Sequence, residues 1–269
     1  MKYKLIAIDL DDTLLAEKSG ELQVSQRNKE ALKAAMDKGV KVVISTGRMF
    51  SSSLPYLLDI GLKGESITYN GALVRDIETG EIIEHNPVPL GYSKDIIDFV
   101  KKKDLHINFY IDDILYVNKM EEEAKCYERL SGVTPVLIKE DLETFLDIPS
   151  TKMLVVELDE DKSKELLAEF KENFGEHLHI TPSKPIFVEV MGKGVSKGST
   201  IARLAQRYGI KQEEVIAIGD SSNDLEMVEY AGLGVAVDNA RDSLKEKADY
   251  ITKANFEDGV AYVIEKFIL

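Results

Sequence analysis

The sequence predicts an α/β protein: a Rossmann-like parallel-sheet core with an α+β domain inserted into it. Three features point there. Short apolar runs that end in polar residues alternate with amphipathic helices toward both ends of the chain, the pattern of a parallel sheet covered on both faces. The middle instead shows the alternation of an antiparallel hairpin. Proline-bearing segments bracket that middle, Pro87 and Pro89 before it and Pro182 and Pro185 near its end, with Gly192 and Gly194 following.

Along the chain, Lys4–Leu10 is an apolar run that turns polar at Asp9, a buried strand. Ser25 is placed to cap a helix over Gln26–Lys38, with Ala31, Leu32, Ala35 and Met36 on one face and Gly39 to end it. Val40–Ser45 is a second strand, Ser51–Ile60 a helix despite Pro55, and Ser66–Tyr69 a third strand. Ala72–Arg75 and Ile82–Ile83 pair around Thr79-Gly80. The middle gives strands at His106–Ile111, Ile114–Asn118, Met153–Leu158 and Ile186–Val190, the first two joined by a turn at Asp112-Asp113. Helices at Ser93–Lys103, Glu121–Leu130 and Asp161–Phe174 are interleaved with them. The earlier grammar then returns: helix Gly198–Tyr208, strand Val215–Ile218, helix Asp224–Tyr230, strand Leu233–Val237. The expected division is a core of 1–83 and 191–269 around an inserted domain at 84–190. Parallel sheets bind ligands at the carboxyl ends of their strands, so the residues just after each apolar run are the candidates.

Composition narrows the function. The 269 residues carry 34 Lys+Arg against 48 Asp+Glu, a net charge of −14, and are 44 % apolar, enough for an ordinary core. That charge argues against a nucleic-acid backbone or an anionic membrane as partner. A small anion stays open, because it feels the local field first. Residues 84–190 hold 13 basic and 23 acidic residues, so the acid excess belongs mostly to the inserted domain. The single cysteine, Cys126, excludes an internal disulfide framework. The first apolar run is shorter than the ~7–15 residues of a signal peptide's core, and no run approaches the ~18 of a membrane span. A soluble, cytoplasmic protein is expected, with monomer and homodimer equally open.

Four strand-end clusters carry the chemistry. Asp9-Leu10-Asp11-Asp12-Thr13 sets three carboxylates within four residues, which repel one another unless a cation compensates them. Oxygen ligands beside a phosphate select Mg²⁺. Ser45-Thr46-Gly47-Arg48 offers hydroxyls and free N–H groups at a helix start, an anion cradle. Lys197 precedes a helix and can neutralise a phosphoryl group. Gly219-Asp220-Ser221-Ser222-Asn223-Asp224 adds two acids and an amide after another strand. Taken singly, these read as a solvated acidic loop, a helix cap, a surface lysine and a turn. Their order, spacing and strand-end placement agree only when they are taken together.

With these residues the chain resembles the haloacid dehalogenase-like hydrolases, in the Cof-type branch with a large cap between the second and third motifs. The matching residues are Asp9-Leu10-Asp11-Asp12-Thr13, Thr46-Gly47-Arg48, Asn70-Gly71-Ala72, Lys197-Gly198, and Gly219-Asp220 through Asn223-Asp224 with Met227. Two positions depart from the family's pattern: Asp12 stands where glycine is usual, and Val237-Asp238-Asn239-Ala240 where Met-Gly-Asn-Ala is commoner.

The resemblance implies a Mg²⁺-dependent phosphatase acting on small phosphorylated metabolites, sugar phosphates or related compounds, through an aspartyl-phosphate intermediate. Asp9 would be the nucleophile and Asp11 the acid/base. The metal would be held by the Asp9 carboxylate, the Asp11 backbone carbonyl, Asp220 and Asp224. Leu10, Thr46, Gly47, Arg48, Asn70, Gly71, Lys197 and Asn223 would bind phosphate or substrate, with Ser45 an alternative to Thr46 that strand register decides. The inserted domain would be a cap. A phosphomutase, a phospho-accepting signalling module and an inactive binding protein are the rival readings. His177 and His179 alternate as on one strand face, a reading preferred to a metal pair. Phe109, Tyr110 and Tyr116 read as packing within the inserted domain.

Overall fold

The computed structural model describes residues 2–18 and 20–269 and turns the predicted runs into strands and helices with boundaries shifted by up to three residues. The chain divides into two compact units. The first comprises Met1–Gly47, Ser53–Ile83 and Ser196–Leu269, and the second Arg48–Ser52 and Glu84–Val195.

In the first unit, β1 (Leu5–Ile8) is apolar throughout and fully buried. Each such Leu or Ile contributes roughly 1.5–3 kcal/mol on leaving water. Next comes a hairpin that periodicity did not indicate, β2 (Leu15–Lys18) against β3 (Glu21–Val24). Helix α1 (Gln26–Asp37) starts where predicted, because the Ser25 hydroxyl accepts the Asn28 N–H at 3.1 Å. β4 (Lys41–Ile44), α2 (Phe50–Ile60), β5 (Glu65–Thr68), β6 (Leu73–Asp76) and β7 (Ile82–His85) follow, the last three forming a small sheet.

The second unit is an antiparallel-dominated layer backed by helices. Its elements are α3 (Leu90–Lys103), β8 (His106–Ile111), β9 (Ile114–Val117), α4 (Glu122–Ser131), β10 (Val136–Leu137), α5 (Leu142–Phe145), β11 (Met153–Val156), α6 (Glu160–Phe174), β12 (Leu178–Thr181) and β13 (Phe187–Gly192). The strand order is β10-β9-β8-β11-β13-β12. Alternate residues give the sheet two unlike faces. Ile107, Phe109, Met153, Val155, Val188 and Val190 pack into one apolar core with Ile96 and Val100 of α3 and Phe170 of α6. His106, Asn108, Tyr110, Lys152 and Glu189 are also buried, with Lys152 and Glu189 paired at 3.2 Å. Phe109 and Tyr116 therefore pack as expected, both edging Phe145.

Two sequence expectations change in this unit. β13 passes residue 190 because Met191 and Gly192 pair with His179 and Leu178 of β12, the strand that the alternation of His177 and His179 pointed to but that begins only at Leu178; the unit itself runs to Val195. His177 lies before that strand and stacks on Tyr92 at 5.1 Å, so the two histidines do not share a strand face. The Asp112-Asp113 turn is present, with φ of 51° and 62°. Asp113 also accepts the Phe50 and Ser51 N–H groups at 3.0 and 2.7 Å, within the same unit.

The chain then returns to the first unit with α7 (Lys197–Arg207), β14 (Val215–Gly219), α8 (Leu225–Tyr230), β15 (Leu233–Ala236), α9 (Asp242–Lys245), β16 (Tyr250–Ile251) and α10 (Gly259–Phe267). Its central sheet has the order β16-β15-β14-β1-β4, every pair parallel. The chain leaves β1 toward β4 on one side and later fills β14 on the other. The carboxyl end of β1 is thus a switch point, where such sheets open a ligand crevice.

Candidate active site

Asp9 is the first residue beyond β1, and its N–H donates to the Ile218 carbonyl of β14 at 2.9 Å. Asp220 is the first residue beyond β14. Adjacent parallel strands therefore deliver one carboxylate each to the same edge. Asp224, in a 3₁₀ turn after Asp220, is pulled back onto the strand end: its Oδ2 accepts the N–H groups of Asp220 and Ser221, both at 3.0 Å. Gly219 permits that approach, since a Cβ there would lie 2.5 Å from the Asp224 Cβ.

Lys197 joins these acids. It opens α7, whose start is fixed by a capping box of Ser196 and Ser199. Its Nζ lies 2.5 Å from Asp9 Oδ1 and 2.6 Å from Asp224 Oδ1. The Lys197 and Asp224 side chains are 0 % exposed and that of Asp9 7 %, so these bonds form with little water to screen them. Two carboxylates share one ammonium, with the third, Asp220, beside them. Burial, with the Asp224 charge next, raises the Asp9 carboxyl well above the usual range, while Lys197 opposes the rise. Burial and Asp224 likewise push Asp220 up to about 7. Burial works against the Lys197 ammonium, yet Asp224 and Asp9 outweigh it and hold its pKa above the ordinary lysine value.

This excess of buried negative charge fits a divalent cation. Asp9, Asp220 and Asp224 can each present an oxygen, all within 4.8 Å of one another, a donor set of the hard kind that suits Mg²⁺. Both Asp224 oxygens are already engaged, one by Lys197 and one by backbone N–H groups, which makes Asp224 the brace of the cluster.

The remaining candidates divide. Thr46 is buried, and its carbonyl accepts the Asn70 N–H at 3.0 Å. Asn70 takes a left-handed φ of 56° and accepts the Asn223 side-chain amide at 3.0 Å. Thr46, Gly47, Asn70 and Asn223 thus form one connected layer. Gly71, at φ 106°, closes it against α7: a Cβ there would sit 2.4 Å from the Ser196 carbonyl. Ser45 turns its N–H to the Ile8 carbonyl, and its hydroxyl is buried without a hydrogen-bond partner. The Leu10 side chain is in the core, and its carbonyl accepts the N–H groups of Leu14 and Leu15 at 3.1 and 2.8 Å, closing the loop that holds half-buried Asp11. Arg48 clusters with the second unit, where its charge acts on Tyr127.

Asp12 has φ 55°. A left-handed residue explains why glycine is common there, and aspartate is among the few other residues that tolerate it. Several participants had no role assigned from sequence. The Thr13 hydroxyl donates to Asp220 Oδ1 at 3.2 Å, the Ser196 hydroxyl donates to Glu226, and Asn239 and Asn255 reach the Asp11 loop. Thr13 and Asn239 stand in stretches that the sequence had marked, whereas Ser196 and Asn255 had no signal of their own. A cavity of about 620 Å³ lined by Val40, Lys41 and Tyr208 lies at the amino end of β4 and contains none of these groups.

Comparison with known proteins gives a consistent answer. The family profile for haloacid dehalogenase-like hydrolases matches residues 6–264. A Bacillus subtilis protein, the 5-amino-6-(5-phospho-D-ribitylamino)uracil phosphatase YcsE, is 36 % identical over 266 residues, covering 99 % of this chain and 96 % of that protein. The crystal structure of TM0651 from Thermotoga maritima superposes with a TM-score of 0.87 at 33 % identity, covering 99 % of this chain and 98 % of that one. The subclass IIB sugar phosphatase BT4131 gives a TM-score of 0.81 at 28 % identity, with 98 % of both chains covered.

Proposed function

We propose that this chain, which belongs to the haloacid dehalogenase-like hydrolases, is a Mg²⁺-dependent phosphatase of small phosphomonoesters that works through an aspartyl phosphate. The observation that carries the reading is the buried Asp9–Lys197–Asp224 bridge with Asp220 beside it at the carboxyl ends of β1 and β14.

In this reading the Asp9 carboxylate attacks phosphorus and the bond to the leaving oxygen breaks. Asp11 delivers a proton to that oxygen, then takes one from the water that cleaves the aspartyl phosphate, so that phosphate leaves and Asp9 is regenerated. Lys197, tied to Asp9, supplies a fixed positive charge for the phosphoryl oxygens, and the Thr46–Gly47 segment and Asn223 supply hydroxyl, N–H and amide donors. Phosphoryl transfer mainly needs this positioning and charge compensation. Asp9, the Asp11 carbonyl and Asp220 would hold Mg²⁺, with Asp224 bracing them; when bound, the ion neutralises charge on the phosphoryl oxygens and on the acids. The inserted unit is the cap of this scheme, and Arg48 is a substrate contact.

The names of YcsE and BT4131 support phosphorylated sugars and ribityl compounds as the substrate class. A phosphatase screen over sugar phosphates, nucleotides, flavin mononucleotide and pyridoxal phosphate tests this, with Asp9→Asn as control. Phosphate release from at least one ester by the wild type and none by the variant is expected; turnover near wild type in Asp9→Asn refutes the nucleophile assignment.

A further inference from the structure

Two asparagine side chains from the C-terminal part of the first unit fasten the loop that carries Asp11. Asn239 Nδ2 donates to the Asp12 carbonyl at 2.7 Å, and its Oδ1 accepts the Asn255 N–H at 2.9 Å. Asn255 Nδ2 donates to the Leu15 carbonyl at 2.8 Å, and its Oδ1 accepts the Phe256 N–H at 3.0 Å. Each side chain must donate and accept at once, which an amide does and a carboxylate or a methyl group does not. Together they grip the segment Asp12–Leu15 at both ends, while the Thr13 hydroxyl fixes its middle to Asp220. Asp11 is the residue between that gripped segment and the closed Leu10 carbonyl. Asp12 needs such a hold, because a left-handed conformation costs an L-residue roughly 1–2 kcal/mol.

We infer that Asn239, braced by Asn255, is a positioning residue that sets the Asp11 carboxyl toward the leaving oxygen, and so governs which leaving groups the enzyme can expel. This rests on the acid/base role of Asp11 proposed above. A displacement of about 1 Å in a positioned group can cost on the order of 10² in rate. The cost falls on esters whose leaving oxygen must be protonated. It spares p-nitrophenyl phosphate, whose leaving group departs as a stable anion.

Asn239→Asp keeps size and acceptor but removes the donor to Asp12. The test compares kcat and KM of wild type, Asn239→Asp, Asn255→Asp and Asp11→Asn on phenyl phosphate and p-nitrophenyl phosphate, with thermal melts to establish folding. The expected result is a kcat on phenyl phosphate reduced at least about tenfold relative to that on p-nitrophenyl phosphate in Asn239→Asp, with KM little changed. Asn255→Asp should move the same way and stands in if Asn239→Asp does not fold. Selective loss in Asp11→Asn with an unselective or absent loss in the asparagine variants overturns the positioning role alone. No selective loss in Asp11→Asn overturns the acid/base reading and the inference with it.

Discussion

Replacing Lys197 with methionine tests the charge logic of the site without any substrate. Methionine fills much of the same volume but leaves Asp9 and Asp224 without the ammonium they share at 2.5 and 2.6 Å. Both partners are almost fully buried, so solvent cannot take over. Removing one member of a buried pair typically costs about 3–5 kcal/mol, mostly the penalty of the charge left behind. For a domain of this size, 1 kcal/mol moves the midpoint by roughly 2–4 °C, so Lys197→Met should lower Tm by roughly 6–20 °C in chelator at pH 8. The loss should shrink at pH 5, where the raised carboxyls take up protons and fewer bare charges remain. Adding Asp224→Asn should return part of the stability, as a double-mutant cycle would resolve. Circular-dichroism melts at the two pH values measure all of this. A loss under about 1 kcal/mol, or one independent of pH, would show that the bridge is not what stabilises the acid cluster.

Three further outcomes follow from the same cluster and from the charge distribution. Asp220, at about 7 in the folded protein against an ordinary carboxyl value of 3.8, binds a proton that the unfolded chain has released; metal-free stability should therefore fall as pH rises from about 4 to about 7, by up to roughly 4 kcal/mol, and urea titrations across that window that show a rise contradict the assignment. Mg²⁺ should raise Tm in wild type more at pH 8 than at pH 5, and phosphatase activity should vanish after exhaustive chelation; full activity in chelator refutes the metal site. Because residues 84–190 carry 23 acidic against 13 basic residues, kcat/KM for an anionic ester should hold or rise with salt as that field is screened, and a steep fall at saturating Mg²⁺ counts against the acidic insert as the dominant field.

Much of the fold was legible because its signals are local. A short apolar run such as Leu5–Ile8 that turns polar at Asp9 favours a buried strand, and Ser25 before an amphipathic run favours a helix cap. The β2–β3 hairpin escaped because its short, mixed strands have no clear period, and β12 was legible only as an alternation without a boundary. Strand pairing, not composition, makes them, and it carries β13 beyond residue 190. His177 misled because alternation in sequence does not say where a strand begins.

By itself, the sequence determined the α/β class, the insertion, and the acids that stand just past β1 and β14, since period and spacing act over a few residues. Tertiary structure alone decided that Lys197, 188 residues beyond Asp9 in the chain, lies within hydrogen-bonding distance of it. It also decided that Arg48 groups with the second unit and Thr46 with the first, and that Asn239 grips the peptide of Asp12, 227 residues earlier. The reason is geometric: local propensity makes the elements, but the order of strands in the sheet and the packing of α7 on α8 and on the Tyr69–Gly71 turn set the distances between their ends.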